Sequence, residues 1–301
     1  MIKGFKKFDI HVHADLNGGC ELPYITGEKF ALPSELREMY REHGIDKGVL
    51  LPCVSPEMLF SFQSNEAAYK TVEENSDIFV WFCSLDPRMG YNNPKLDMSY
   101  ILEHYKKLGA LGVGELTANL PFDCDVVDNL FYHCAKCGMP ITIHIAPDDK
   151  PYGYYGLKDG LGLKGLEGAL KKHPTLKLLG HSAMFWSHIS GNVTYENMNS
   201  YPSGRVTEGG VLVRLMREYP NLYGDMSAGS GANAFMRDPE FGCAFIEEFR
   251  DRLLYGSDFC SVNERSELSF WLDEMLEKGN IREDTYRMIC RDNALALLGI
   301  D

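Results

Sequence analysis

Two histidines flank a valine in FDIHVH, residues 8–13, an apolar run that reads as a β-strand. Residues i and i+2 of a strand project from the same face, so His11 and His13 point one way and Val12 the other. Buried imidazoles need partners for their ring nitrogens, which backbone carbonyls, neighbouring acids or a metal ion could supply. The rest of the chain bears on that choice. Glu115 stands near the end of ALGVGEL, His144 near the end of PITIHI, His181 ends LKLLGH, and Asp258 ends RLLYGSD. Most of these are metal-ligand types that a core seldom buries without cause. Any one of the six has an ordinary explanation as a hydrogen-bonded core residue. Six at matching ends of five apolar runs point to a metal site.

Those runs belong to a series of eight, at 8–13, 47–52, 78–85, 110–116, 140–145, 176–181, 221–226 and 252–258. Helical patterns lie between them, several closed by Gly or Pro at Gly44, Gly109, Gly138, Pro174 and Pro220. Eight strands, each followed by a helix and with no low-complexity linker, predict an α/β fold. The expected architecture is a single (β/α)8 TIM barrel, one domain over residues 1–301. An open doubly wound sheet is the alternative, but it needs no eight units, and no Gly-x-Gly-x-x-Gly turn follows the first strand. Four connections are too long for simple turns: 14–33, 146–165, 182–208 and 227–240. Each follows a strand's C-terminal end, the face on which barrels build active sites.

The bulk composition narrows the function classes. With 301 residues, a formal charge of −13, 45% hydrophobic and 24% charged residues, the chain reads as an ordinary globular enzyme. It has no basic run or face to grip nucleic acid or an anionic membrane. An anionic small molecule remains a fitting substrate, because a bound metal would attract it locally. No apolar stretch approaches the ~20 residues of a bilayer span, and MIKGFKKF lacks the apolar run of a signal peptide. Nine cysteines without regular spacing imply reduced thiols and a cytoplasmic protein. Cys134 and Cys137 have the Cys-x-x-Cys spacing, but without a second pair they read as packing residues. Oligomeric state is left open, a homo-oligomer included.

The pattern of His-x-His on strand one, single histidines on strands five and six, and Asp after strand eight resembles the amidohydrolase superfamily. LLGHSA, NLYGDMSA, LLYGSDF and REDTYRMICRDNALALLGI are similar to its amidohydrolase 2 branch of TIM-barrel metal-dependent hydrolases. The resemblance runs from Phe8 to Ile300. It implies that His11, His13, His144, His181 and Asp258 form the site. Glu115 stands where many members carry a bridging carboxylated lysine; TatD-like enzymes use a glutamate there, and decarboxylases of the branch usually lack a bridge.

Imidazoles and carboxylates without thiolate suit Zn²⁺, with Mn²⁺ or Fe²⁺ as alternatives. The expected activity is hydrolysis of a C–N or C–O bond, amide or lactone, in a small carboxylated molecule. It would use an ion-activated hydroxide, with Asp258 as proton shuttle. Two ions are expected if Glu115 bridges them, and one if it only supports a ligand histidine. The rivals are a metal-dependent decarboxylase of a cyclic or unsaturated acid, a TatD-like phosphoesterase, and a binding protein that has lost catalysis. An intact Asp258 speaks against the last. Substrate contacts are sought in the long loops, from Tyr152, Tyr154, Tyr155, Lys158, Trp186, His188, Arg205 and Arg237. Of these, His188, Trp186, Tyr154 and Arg205 are the leading candidates. His43, His104, His133 and His173 read as surface residues, and Asp225 as support for the site without metal contact.

Overall fold

Among the described residues run nine parallel strands: β1 Lys7–Val12, β2 Ile45–Leu50, β3 Phe79–Cys83, β4 Ala110–Leu116, β5 Ile141–Pro147, β6 Leu157–Asp159, β7 Leu178–His181, β8 Leu222–Asp225 and β9 Leu253–Leu254. The computed structural model describes residues 2, 4–24, 26–150 and 152–300, the side chains of 59–61 excepted. Eight of the strands pair in the order β1-β2-β3-β4-β5-β7-β8-β9. β9 has only two residues, yet the chain beyond it closes the ring onto β1. Ile10 N–H donates to Tyr255 O at 3.0 Å, Asp258 N–H to His11 O at 2.8 Å, and His13 N–H to Phe259 O at 2.9 Å. A parallel bridge joins Val12 to Phe259. The result is a TIM barrel with its helices packed outside.

All eight expected strands are present. The ninth, β6, lies off the ring and pairs with β5 through Ile145–Leu157, Ala146–Lys158 and Pro147–Asp159. It sits in the stretch read as a loop over 146–165. Three residues between glycines are too few to show a period of two.

Two irregularities decide where His11, His13 and Glu115 point. Between Asp9 and Val12, three residues of β1 advance against two of β2, since Asp9 pairs with Gly48 and Val12 with Leu50. Phe8 and Ile10 join Val49, Leu51, Phe82, Leu179 and Leu254 in the barrel interior. The shift lets His11 and His13 follow them on the inner face, while Val12 turns to the outer core layer. β4 repeats the device beside Glu115: Val113 pairs with Ile141 and Leu116 with Ile143. Gly114 permits this, with φ +141° and Thr142 O only 3.0 Å from where a Cβ would stand. Asp9 locks the first shift. Its Oδ1 accepts from His11 N at 3.0 Å and Ser257 N at 2.8 Å, and Tyr40 OH donates to its Oδ2 at 3.0 Å.

Three helix histidines depart from the surface reading. His43, His133 and His173 are buried, and only His104 is exposed. Their helices press these faces against neighbours, and each ring finds a partner: Met39 O at 2.7 Å, Ser99 Oγ at 2.7 Å and Asp128 Oδ1 at 2.9 Å. Cys134 and Cys137 are buried in the outer core layer on the helix Asp125–Cys137, where both pack. All nine cysteines are free thiols. Among the described residues, no helix is long and apolar enough to cross a membrane.

Candidate metal centre

At the C-terminal mouth of the barrel, His11, His13, Glu115, His144, His181 and Asp258 converge. His11 Nε2 and His13 Nε2 stand 3.1 Å apart. Asp258 Oδ1 lies 3.4 Å from the first and 3.5 Å from the second, and Asp258 Oδ2 lies 3.6 Å from His181 Nε2. Glu115 spans the same gap. Its Oε2 is 3.9 Å from His11 Nε2 and 3.8 Å from His13 Nε2, while its Oε1 is 4.0 Å from His181 Nε2. Glu115, His144 and His181 form a second cluster whose ligand atoms lie within 4.8 Å of one another.

The second nitrogens of the histidines are already committed. His11 Nδ1 bonds Asp225 Oδ2 at 2.6 Å, and His13 Nδ1 bonds Leu51 O at 2.8 Å. Both acceptors require Nδ1 to carry the proton, so in the neutral rings both Nε2 atoms carry lone pairs. Burial holds these rings neutral, pushing His11 and His13 down to about 3, the charge of the neighbouring His11 adding to the effect on His13. Two lone pairs facing each other at 3.1 Å repel unless a cation or a donor stands between them. His181 is supported in a like way, with Ser227 Oγ 3.0 Å and Asp225 Oδ2 3.6 Å from its Nδ1.

Electrostatics carry the same message. Burial, with Asp225 adding to it, pushes Glu115 up to about 8; burial and then Glu115 push Asp258 well above the carboxylate range. His144 falls to about 3 through burial, and His181 falls well below its usual value. The bare pocket therefore rejects charge of either sign. A divalent cation inverts that logic by favouring neutral imidazole and ionised carboxylate together. Glu115 Oε1 is buried without a hydrogen-bond partner, an orphan acceptor that a cation would satisfy. Two ligands of one zinc ion, at 2.0–2.2 Å each, are separated by at most about 4.4 Å. The separations given above among His11, His13, His181, Glu115 and Asp258 meet that limit, so this donor set fits a metal.

The substrate candidates fall elsewhere. Trp186 is buried, donating Nε1–H to Asp225 O at 2.8 Å and stacking edge-on against Phe235. It holds the Asp225 backbone rather than facing the mouth, because the helix Ala183–Ser187 drops back into the core. His188 is also buried. Its Nδ1 bonds Met184 O at 2.7 Å and its Nε2 accepts from Gly162 N at 3.2 Å, which leaves no nitrogen for a ligand. Arg205 is a solvated side chain 3.8 Å from Glu240. Arg237 follows the helix Ala228–Met236, with Nε and Nη2 buried and unpartnered. Lys158 lies on β6, and Tyr152 and Tyr154 are exposed.

Other residues border the mouth. The Tyr155 ring is 4.3 Å from that of His144, and its hydroxyl is raised by burial and then by the nearby Glu115. Tyr201, on the loop over 182–208, is 59% exposed, and its hydroxyl is raised by burial and then by Asp258. Phe30 packs 6.1 Å from the His13 ring. Tyr201 and Phe30 were not singled out from sequence. Their only signal was membership of the long loops 182–208 and 14–33.

A family model described as "Amidohydrolase" matches residues 98–300, about two thirds of the chain. That segment holds Glu115, His144, His181 and Asp258. A search of curated proteins gives no match. An uncharacterised TIM-barrel protein from Bordetella bronchiseptica superposes with a TM-score of 0.66 at 17% identity, over 98% of this chain and 100% of its own. A Pseudomonas putida structure, provisionally assigned as a 2-pyrone-4,6-dicarboxylic acid hydrolase, gives 0.63 at 16%, over 98% and 97%. A dihydroxybenzoic acid decarboxylase from a Polaromonas species, with bound manganese and 2-nitroresorcinol, gives 0.56 at 16%, over 98% and 97%.

Proposed function

Because the chain belongs to the amidohydrolase family, an enzyme family, we propose that it is a metal-dependent hydrolase that opens an amide or lactone bond in a small molecule. The observation that carries this reading is the pair of Nε2 lone pairs 3.1 Å apart, with Glu115 reaching from that pair to His181. His11, His13 and Asp258 would hold one ion, His144 and His181 a second, and Glu115 would bridge them. Zinc suits nitrogen and oxygen donors of this kind. When bound, such ions supply Lewis acidity and bring the pKa of a water down towards ~7.

The protein's own groups do the rest. Asp258 is the most open of the carboxylates, its side chain 21% exposed against 5% for Glu115. It is therefore the group able to take the proton of the attacking water and hand it to the leaving nitrogen or oxygen. Asp225 and Leu51 O keep the ligand nitrogens of His11 and His13 free of protons. The phenols of Tyr155 and Tyr201 would orient the substrate, and a carboxylate on it would meet these hydroxyls and the ion's charge rather than Arg205. The closure of Val12 onto Phe259 supports assigning residues 1–301 to one catalytic domain. The free thiols support a reducing, cytoplasmic setting.

The test is elemental analysis of metal-replete protein together with a panel of lactones, amides and carboxylic acids. One or two ions per chain and hydrolysis of a lactone or amide are expected. Glu115→Gln should remove one ion and most of the turnover, since it keeps the shape and deletes the charge. An acid that loses CO₂, with metal content unchanged in Glu115→Gln, would move the assignment to a decarboxylase.

A further inference from the structure

Cys260 lies two residues beyond Asp258, and the barrel's closure brings it to the ligands. Its backbone is pinned on both sides: Cys260 N–H donates to Glu264 Oε2 at 2.5 Å, and Ala31 N–H donates to Cys260 O at 2.7 Å. The side chain stands beside Asp258. Its Sγ stands 3.6 Å from Asp258 O and 3.9 Å from Asp258 Oδ1, both long contacts for a weak donor. His13, Asp258 and Cys260 each present a ligand atom within 4.8 Å of the others. Sulfur at 2.3 Å and a carboxylate oxygen at 2.0–2.2 Å from one ion are separated by at most about 4.5 Å, a limit that the 3.9 Å between Cys260 Sγ and Asp258 Oδ1 meets.

We propose that Cys260 is a sulfur ligand of the metal centre on its His13–Asp258 side, which biases the site towards thiophilic divalent ions. This inference rests on the metal reading above. On binding, the S–H bond gives way to a sulfur–metal bond, the proton leaves to water, and no electron is transferred. The neighbouring Cys53 does not share the role. Its Sγ lies 3.8 Å from His13 Nδ1, the nitrogen already bonded to Leu51 O, on the ring edge away from Nε2. The buried, unpartnered Glu115 Oε1 is an independent sign that the same pocket is built for a cation. Soft thiolate favours Zn²⁺, Co²⁺ and Cd²⁺ over Mn²⁺.

The experiment loads the full chain with Co²⁺ and records its absorption. Wild type should show both the visible d–d bands of bound cobalt and a near-ultraviolet sulfur-to-cobalt charge-transfer band. Cys260→Ser should keep the first and lose the second, while Cys53→Ser keeps both. The preference for Cd²⁺ over Mn²⁺, measured by competition, should fall about tenfold or more in Cys260→Ser. Cys260→Ala repeats the test without a hydroxyl in case the serine variant folds poorly. Cobalt bound with d–d bands but no charge-transfer band in wild type would overturn the sulfur ligand alone, as would a band that survives in both Cys260 variants. Absence of any bound cobalt would overturn the metal centre itself.

Discussion

Asp225 is the residue whose replacement by asparagine tests the site most sharply, because both of its oxygens accept. Oδ2 takes the Nδ1 proton of His11 at 2.6 Å, and Oδ1 takes the Ser227 N–H at 3.1 Å. Asparagine offers one oxygen and one NH₂. If the oxygen faces His11, the NH₂ meets the Ser227 N–H, and Ser227 is the residue whose hydroxyl touches His181 Nδ1. If the NH₂ faces His11, the imidazole must move its proton to Nε2, 3.1 Å from His13 Nε2, and can no longer ligate. Either arrangement disturbs a histidine of the candidate site. Loss of such a supporting partner costs 10- to 100-fold in metal affinity, about 1.4–2.7 kcal/mol. Burial already pushes the Asp225 carboxyl up, so the neutral amide relieves some desolvation and the fold should survive. Competition for Zn²⁺ against a chromophoric chelator, with circular dichroism to confirm folding, reads the effect. A folded Asp225→Asn protein that binds zinc as tightly as wild type would refute the claim that Asp225 sets the His11 tautomer.

Three further outcomes are expected. Metal binding should strengthen with pH, since Glu115 sits near 8 in the bare protein and must lose its proton to ligate. Below pH 8 affinity should rise about tenfold per unit for each proton displaced, then flatten; calorimetry in buffers of different ionisation enthalpy counts those protons, and a flat profile from pH 6 to 8 contradicts the picture. Asp258→Asn should retain most of the metal and lower kcat by ~10² to 10⁴, measured at saturating substrate, and near wild-type turnover would assign the proton to another group. Trp186→Phe should destabilise by roughly 1–3 kcal/mol in urea unfolding, because it strands the buried Asp225 carbonyl; an unchanged midpoint would show that the indole N–H is dispensable.

What the sequence by itself determined is local. The eight apolar runs, the helix stops at Gly44 and Gly138 with their left-handed φ of 69° and 65°, and the shared face of His11 and His13 all follow from periods of 2 and 3.6 residues. Neighbouring residues impose those periods, so they are legible before any fold exists. The ligand types at strand ends were legible for the same reason, once a barrel was assumed to bring the ends together. Tertiary structure decided what depends on partners distant in the chain. The register shifts in β1 and β4 arise from the strands alongside them, and no residue in FDIHVH announces that Ile10 and His11 will both face inward. Trp186 and His188 lie in a stretch that reads as a substrate-binding loop, but Phe235, Met184 and Gly162 meet them there and make them core. Cys260 read as one more reduced thiol until Ala31 and Glu264 fixed its backbone beside His13, across some 250 residues of chain. Such positions follow from which surfaces meet when the barrel closes, and burial is a property of the pair that meets rather than of either residue's type.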